Sequence, residues 1–598
     1  MKKIRMEIQE TRKLWDEDPM RIPLQKSRRR ALVLVTIILC CFGAILFRLV
    51  DLMVLDHDKL AGRAEQQYIR QKTLAPQRGV MLDRKMRELA ANVDADSVYA
   101  VPSKVEDTRT FSAKLAAVTR ISSKKLNMDL LKKKDREFIW IERKMDADTA
   151  GEVRKLIDKI GPEAIGFVPE ARRYYPKGLT AAHLLGFTNI DNAGIAGLEL
   201  QYNEFLKGEV TNVAVGTDAR GNRLSSSVKD AVSGNSLVLT IDEGIQYIVE
   251  RELSRAVDEW KAKAAVAVMM DPMTGEILAM ANRPTYNPNE PGKSRDYARR
   301  NRAITDLYEP GSTLKSVLAA AAIEERVVRL QDWFDVSKGY IVVGGKAIRD
   351  VHRSEVITFQ EVIQRSSNVG AVQVGLRLGS EKYYAYLKKF GFGEKTEIDF
   401  PGEVRGILRE RRNWSGTSLA ALSIGQEIGA TPLQVLRAYS AIANGGILVK
   451  PYIVSDIISP EGTIVKRVVP DLSQRIISTR TAALVKEMLK TVVEEGGTAK
   501  RASIEGNLVA GKTGTAQIFD HKAGRYSPDK FVSSFVGFVP ADNPRLALIV
   551  VVFEPKGKSY GGVVAAPVFR NIIENTFAYM SVPVEKNEHS ILLVSRKR

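Results

Sequence analysis

The chain has 598 residues, 44% hydrophobic and 27% charged, enough apolar content for a sizeable core and, at roughly 100–200 residues per domain, for more than one folded unit. Lys and Arg number 90 against 71 Asp and Glu, a net charge of +19, which points to a polyanionic neighbour: nucleic acid, an anionic membrane surface or an acidic wall polymer. The only two cysteines, Cys40 and Cys41, are adjacent and the five histidines are scattered without an HExxH pattern, which excludes a disulfide framework and a Cys-built zinc site and argues against a His-built metal centre.

Taken in chain order, the first predicted element is a membrane span. Ala31 to Phe47 carries no charge, and beyond Arg48 the apolar character continues through Val50. A spanning helix needs roughly 17–25 residues, and Arg48 at one end can snorkel to the headgroups. Residues 1–30 hold ten basic and five acidic groups, with Lys26, Arg28, Arg29 and Arg30 at the flank, so this side is expected to stay in the cytoplasm and the rest of the chain to be exported. A cleaved signal peptide is the competing reading, but its apolar region is shorter, and Arg48-Leu49-Val50-Asp51 stands where a small-residue cleavage site should be.

From Asp51 to about Val232 the sequence is polar and broken, with a short strand at Ser97–Val101 and a helix over Ala147–Ile160. From Ser233 the texture changes. Leu237–Ile241 reads as a buried strand and Ile245–Trp260 as an amphipathic helix. Ala264–Met270 and Glu276–Asn282 read as strands joined by the Asp271–Gly275 turn. Near the end, Phe531–Val539 and Leu546–Phe553 form a second hairpin, followed by a helix from Pro567 with Phe569, Ile573 and Phe577 on one face. Strands at both ends of a helical middle predict an α+β fold, an antiparallel sheet flanked by helices.

Ser-x-x-Lys occurs three times, at Ser122/Lys125, Ser226/Lys229 and Ser312/Lys315. The first two lie in polar stretches, where nothing would lower a lysine pKa, and read as solvated surface. The third follows Glu309-Pro310-Gly311 and opens an Ala- and Leu-rich helix. That places Ser312 at a helix N-terminus and Lys315 one turn later, where burial favours the neutral amine that can activate a serine hydroxyl. Two further groups follow: Ser366-Ser367-Asn368 in a helical, apolar context, and Lys512-Thr513-Gly514-Thr515 on a predicted strand, with a glycine suited to close approach of a ligand backbone. Alone, each reads as a cap or a strand end; in this order the three groups form the signature of penicillin-recognising serine acyl-enzymes.

From Gly234 to Met580 the chain resembles the transpeptidase domain of the class B penicillin-binding proteins. The match is carried by these motifs together with Asp271-Pro272, Ala279–Asn282, Tyr286-Asn287-Pro288, Asn301–Asp306, Ala510–Gln517 and Gly561-Gly562. Glu309-Pro310-Gly311 is similar to the division type rather than the elongation type. Upstream, Arg78–Arg84, Arg173–Pro176, Ala182–Gly186, Gly194 and Gly197–Glu199 resemble that family's membrane-proximal pedestal, in structural roles of turns and ion pairs. The implied layout is a cytoplasmic tail (1–30), a transmembrane helix (31–50), a pedestal (51–232), a transpeptidase domain (233–580) and a loose tail (581–598).

The resemblance also implies roles. Ser312 would attack the carbonyl between two D-alanines of a stem peptide, and Lys315 would take its proton. Ser366 and Asn368 would relay protons and orient the substrate. Lys512, Thr513, Gly514 and Thr515 would form the carboxylate-binding strand, and the N–H groups of Ser312 and Thr515 the oxyanion hole. No metal or cofactor is implied. The implied partners are D-Ala-D-Ala stem peptides, the membrane, a polytopic lipid-linked glycan polymerase and other division proteins, and not nucleic acid. The rival readings are a β-lactamase or carboxypeptidase, disfavoured because no Glu-x-x-Leu-Asn lies between Asn368 and Lys512, and a membrane-anchored scaffold or antibiotic sensor, disfavoured because Ser312 and Lys315 are both present.

Overall fold

The computed structural model describes residues 24–61, 69–74, 76–119, 121–136, 138–209, 211–216, 232–520 and 522–581. The expected terminal tails lie almost wholly outside these residues, as does the Ser226/Lys229 pair. The chain divides into two compact units, residues 1–74 with 210–230, and residues 75–209 with 231–598.

In the first unit, helix Leu24–Val50 continues through a π turn, Asp51–Leu55. The stretch Arg28–Leu55 is 28 residues of helix, about 42 Å at 1.5 Å per residue, and apolar enough to cross a membrane. No side chain from Arg28 to Val50 is buried. A helix of this length that is apolar all round and, among the described residues, buries none of its side chains has its natural solvent in lipid. The helix outruns the expected end at Val50 because Leu52, Met53, Val54 and Leu55 restore the apolar run after Asp51, whose carboxylate pairs with the Arg48 guanidinium. Strand Ile69–Leu74 pairs antiparallel with Thr211–Gly216.

The second unit is built on two sheets. One has five antiparallel strands in the order Ile277–Arg283, Ala264–Met270, Leu546–Phe553, Arg525–Val539 and Ala510–Asp520. Leu546 to Val552 is buried without alternation, so both faces of the sheet are covered. Helices Glu243–Trp260 and Ala566–Met580 pack on it and on each other, and Pro432–Ala443 also packs on it. This is the α+β architecture expected from the sequence. Asp242 caps the first of these helices, accepting from Gly244 and Ile245 N–H, which starts it two residues before the apolar periodicity does.

The other sheet crosses the expected boundary at residue 232. Strand Ser236–Leu239 lies between Val454–Ile458, to which it is antiparallel, and Met81–Leu82, to which it is parallel. Met81–Leu82 pairs in turn with the long strand Glu88–Ala100, which carries Ile139–Met145 and Ile165–Tyr174. Beside this junction Glu199 is fully buried, with one carboxylate oxygen 2.6 Å from Arg78 Nε and the other 2.6 Å from Arg173 Nε. Tyr175 donates to the same carboxylate at 3.2 Å. The pedestal motif residues are thus an ion-paired core, as expected for structural roles.

Candidate active site

The serine lies on a clamped turn. Gly311–Leu314 forms a 3₁₀ turn that runs directly into helix Lys315–Glu324, every residue of which from Lys315 to Ile323 is buried. Gly311 N–H donates to Gly425 O at 3.0 Å, and Thr313 Oγ1 donates to Pro310 O at 2.9 Å. The hydroxyl of buried Tyr439 donates to Thr313 O at 2.8 Å and, at 2.7 Å, is left to accept from Ser316 Oγ. These bonds hold the backbone on both sides of Ser312, whose own side chain remains partly exposed.

Lys315 has no exposed surface and meets the second motif. Its Nζ lies 2.8 Å from Ser366 O, 2.7 Å from Asn368 Oδ1 and 3.4 Å from Ser366 Oγ. Burial lowers its pKa to about 7, with the charge of Asp350 opposing the fall. A neutral amine has two N–H bonds, which the two short contacts use, and the remaining lone pair is free to take a hydroxyl proton. None of these bonds goes to Ser312.

Ser366 and Ser367 sit between two helices, Phe359–Gln364 and Asn368–Leu378, and Asn368 opens the second. Ser366 adopts left-handed backbone, φ +60°, which turns its carbonyl toward Lys315. The group that sets this turn was not legible in the sequence: Asp350, at the end of hairpin strand Lys346–Arg349. Its carboxylate accepts from Asn368 N–H, from Val369 N–H at 3.0 Å and from Ser367 Oγ at 2.8 Å, while Asn368 Nδ2 donates to Arg349 O at 2.9 Å. Asp350 therefore caps the second helix from a distant strand, and the cap fixes Asn368 against Lys315. No spacing rule links residues 350 and 368, so only the fold reveals the pairing.

The third motif lies on the edge strand Ala510–Asp520, with Lys512 opposite Val536 and Thr515 opposite Ser533. Gly514 is required by packing. A Cβ there would fall 2.9 Å from Pro310 O and 2.3 Å from Ser534 Oγ. The close approach it permits within the protein is that of the serine turn. Lys512 is fully buried, and its Nζ lies 3.5 Å from Thr513 Oγ1. Burial and the neighbouring Lys315 charge hold its pKa well below the usual lysine value. Thr513 Oγ1 is 3.0 Å from Thr498 Oγ1, and Thr515 Oγ1 accepts from Gly561 N–H at 3.0 Å. The fold thus brings Ser312, Lys315, Ser366, Asn368 and Lys512–Thr515 together from three segments. Ser122, by contrast, caps helix Ser123–Lys132, and it and Lys125 are exposed.

A cavity of about 680 Å³ lies beside the continuation of the edge strand past Thr515, lined by Glu309, Ala516, Gln517, Tyr526, Arg409 and Glu427 among others. Burial raises the Glu309 carboxyl, which accepts from Tyr526 OH at 3.0 Å and from Glu427 N–H at 2.9 Å.

Against known families, residues 265–574 match the penicillin-binding protein transpeptidase domain, and residues 73–239 match the penicillin-binding protein dimerisation domain. The chain belongs to the penicillin-binding protein family. Relatives extend over nearly the whole of this penicillin-binding protein. It is 37% identical to stage V sporulation protein D of Bacillus subtilis, over 95% of this chain and 88% of that one. With peptidoglycan D,D-transpeptidase FtsI of Escherichia coli it shares 34% identity, over 91% of each. Its fold is similar to penicillin-binding protein 3 of Mycobacterium tuberculosis in complex with aztreonam, with a TM-score of 0.67 at 29% identity, covering 86% of this chain and 98% of that one. The resemblance to class B penicillin-binding proteins is borne out.

Proposed function

We propose that this penicillin-binding protein is a peptidoglycan D,D-transpeptidase that cross-links stem peptides through an acyl-enzyme on Ser312, acts at the septum and is acylated by β-lactams. The observation that carries the reading is the dry amine of Lys315, pKa about 7, one helical turn from Ser312 with its N–H bonds already committed to Ser366 O and Asn368 Oδ1. Lys315 takes the hydroxyl proton as Ser312 attacks the carbonyl between two D-alanines. Ser366, 3.4 Å from the amine, passes that proton toward the departing D-alanine, while Asn368 orients the substrate amide. The terminal carboxylate is held by Lys512, Thr513 and Thr515 beside Gly514; its negative charge restores the ammonium form of Lys512 that burial disfavours. The N–H groups of Ser312 and Thr515 receive the developing oxyanion. With the carboxylate at Lys512–Thr515, the rest of the stem peptide runs on along Ala516–Phe519 into the cavity beside Glu309. An amine of a second stem then accepts the acyl group.

In this reading the helix ending near Leu55 is a single-pass anchor in the inner membrane, with the N-terminus in the cytoplasm and the pedestal (51–232) and transpeptidase domain (233–580) in the periplasm. A lipid-linked glycan polymerase and other division proteins are its partners. A sporulation-stage role is the second reading, favoured by the 37% identity to the Bacillus subtilis protein; a fluorescent fusion seen at vegetative septa decides for division.

The chemical test is labelling with a fluorescent penicillin and mass mapping of the adduct. Ser312→Ala should abolish labelling and Ser122→Ala should leave it intact. With a D-Ala-D-Ala thioester analogue, product should partition toward the aminolysis adduct as D-amino acid is added. Labelling elsewhere sinks the serine assignment, and hydrolysis insensitive to amine sinks the transferase.

A further inference from the structure

The outer part of the pedestal has its own small core, in which Val98, Phe111, Leu115, Leu130 and Val153 are buried. Strand Ile139–Met145 is the outermost strand of the second sheet there, bonded on one side to Glu88–Ala100 and, among the described residues, to no strand on the other. Helix Ser123–Lys132 stands off from the start of this strand and leaves a groove of about 560 Å³ between them. Leu126 and Ile139, both buried, floor the groove. The helix presents Ser122, Lys125, Asp129 and, just past its end, Lys133 along one face.

Two observations say what fits there. Phe138 and Trp140 stand at the strand side of the groove 41% and 40% exposed, their rings edge to face at 4.6 Å. Clustered exposed aromatics of this kind mark a contact surface rather than a core. Among the described residues that line the groove the ionic rim is one-sided: Lys125, Lys133 and Arg136 are exposed against one carboxylate, Asp129. A free strand edge beside a helix is the geometry in which an extended peptide gains affinity from main-chain hydrogen bonds and specificity from pockets for alternate side chains. Cations flanking such an edge keep copies of this chain from pairing through it and favour an oppositely charged partner.

We propose that this groove docks an extended acidic segment of a partner protein, which adds a strand to Ile139–Met145, sets an apolar side chain against Phe138 and Trp140, and turns its carboxylates to Lys125, Lys133 and Arg136. The inference does not depend on the acyl-transfer reading, since none of these residues belongs to the serine centre.

The test uses the full chain in detergent micelles as bait for a displayed library of random dodecapeptides. Enriched peptides should carry Asp or Glu around alternating apolar residues. A fluorescein-labelled representative should bind at least tenfold more weakly to the Lys133→Glu, Arg136→Glu double variant and to Trp140→Ala. Fluorescent penicillin labelling of the double variant should stay at the parent level, which shows that the exposed charge reversals left the fold intact. N-methylation of the peptide amides one at a time should weaken binding at every second position. Peptides without acidic enrichment, or binding indifferent to the charge reversal, would overturn the proposal. Loss of binding at every third or fourth methylated amide would replace the strand with a docked helix. If no peptide is enriched and phosphatidylglycerol vesicles bind through the same cations, the groove is a lipid contact and the proposal fails.

Discussion

At Lys315 a single buried nitrogen is held near its working protonation state by two opposed effects, burial pushing its pKa down and Asp350 pulling it up. Acylation that needs the neutral amine should therefore rise with pH through about 7. Asp350→Asn keeps an oxygen for the Asn368 and Val369 N–H groups but removes the charge, so the rising limb should move to lower pH; penicillin acylation rates measured against pH read the shift directly, and an unmoved limb would separate Asp350 from the lysine. Lys512 makes the complementary case. Its folded pKa lies below its unfolded value, so the unfolded chain binds the extra proton and stability falls as pH drops below the ordinary lysine range. Lys512→Met should abolish turnover yet raise stability at neutral pH by about 1–2 kcal/mol, with the gain shrinking toward alkaline pH in thermal melts. Ser312 and Lys315 were legible because their relation is local, one turn of one helix. Asp350, Tyr439 and Gly425 were not, because each meets the serine centre through a contact the chain makes only after folding.

Among the elements, those whose ends are set by neighbouring residues were read closely. Helix Ala147–Ile160 begins where Asp146 caps it, and strand Ala264–Met270 is a continuous apolar run. Strand Glu88–Ala100 was recognised only around Ser97–Val101, since Asp94, Asp96 and Asn92 do not favour a strand and are held in one by pairing with Ile165–Tyr174, Asp96 also with Met145 on the other side. The helical context expected around Ser366 is interrupted, because Ser367 caps a new helix at Gly370 N–H while Asp350 takes the N–H groups of Asn368 and Val369. The edge strand and the serine turn act as a pair, fitted through Gly514. Gly514→Ala should push them apart, since Pro310 O is backbone and cannot swing aside. We expect a loss of roughly 1–3 kcal/mol in stability. Penicillin acylation should fall more than tenfold, with Lys315 still buried; Ser534→Gly relieves only the side-chain part of the clash and should restore little of the rate.

On the scale of the molecule, the pedestal and the catalytic part are joined by one sheet, and beside it the pedestal holds a buried ion-paired centre. Glu199→Gln would leave Arg78 and Arg173 without their shared countercharge and should cost about 3–5 kcal/mol, visible as a lowered melting temperature with no change in which serine is labelled. A fragment starting at residue 233 would expose the edge of Ser236–Leu239 that Met81–Leu82 covers, so it should aggregate more readily than one starting at residue 76, whatever its catalytic competence. The same strand order dictates a timetable. A chain made from its N-terminus presents Met81–Leu82 long before Ser236–Leu239 arrives, and that strand waits again for Val454–Ile458. In the catalytic sheet Val266 has no partner on one side until Val551 has emerged. Most of the polypeptide must therefore be synthesised before either sheet can close, and its open edges must be shielded from one another during that interval.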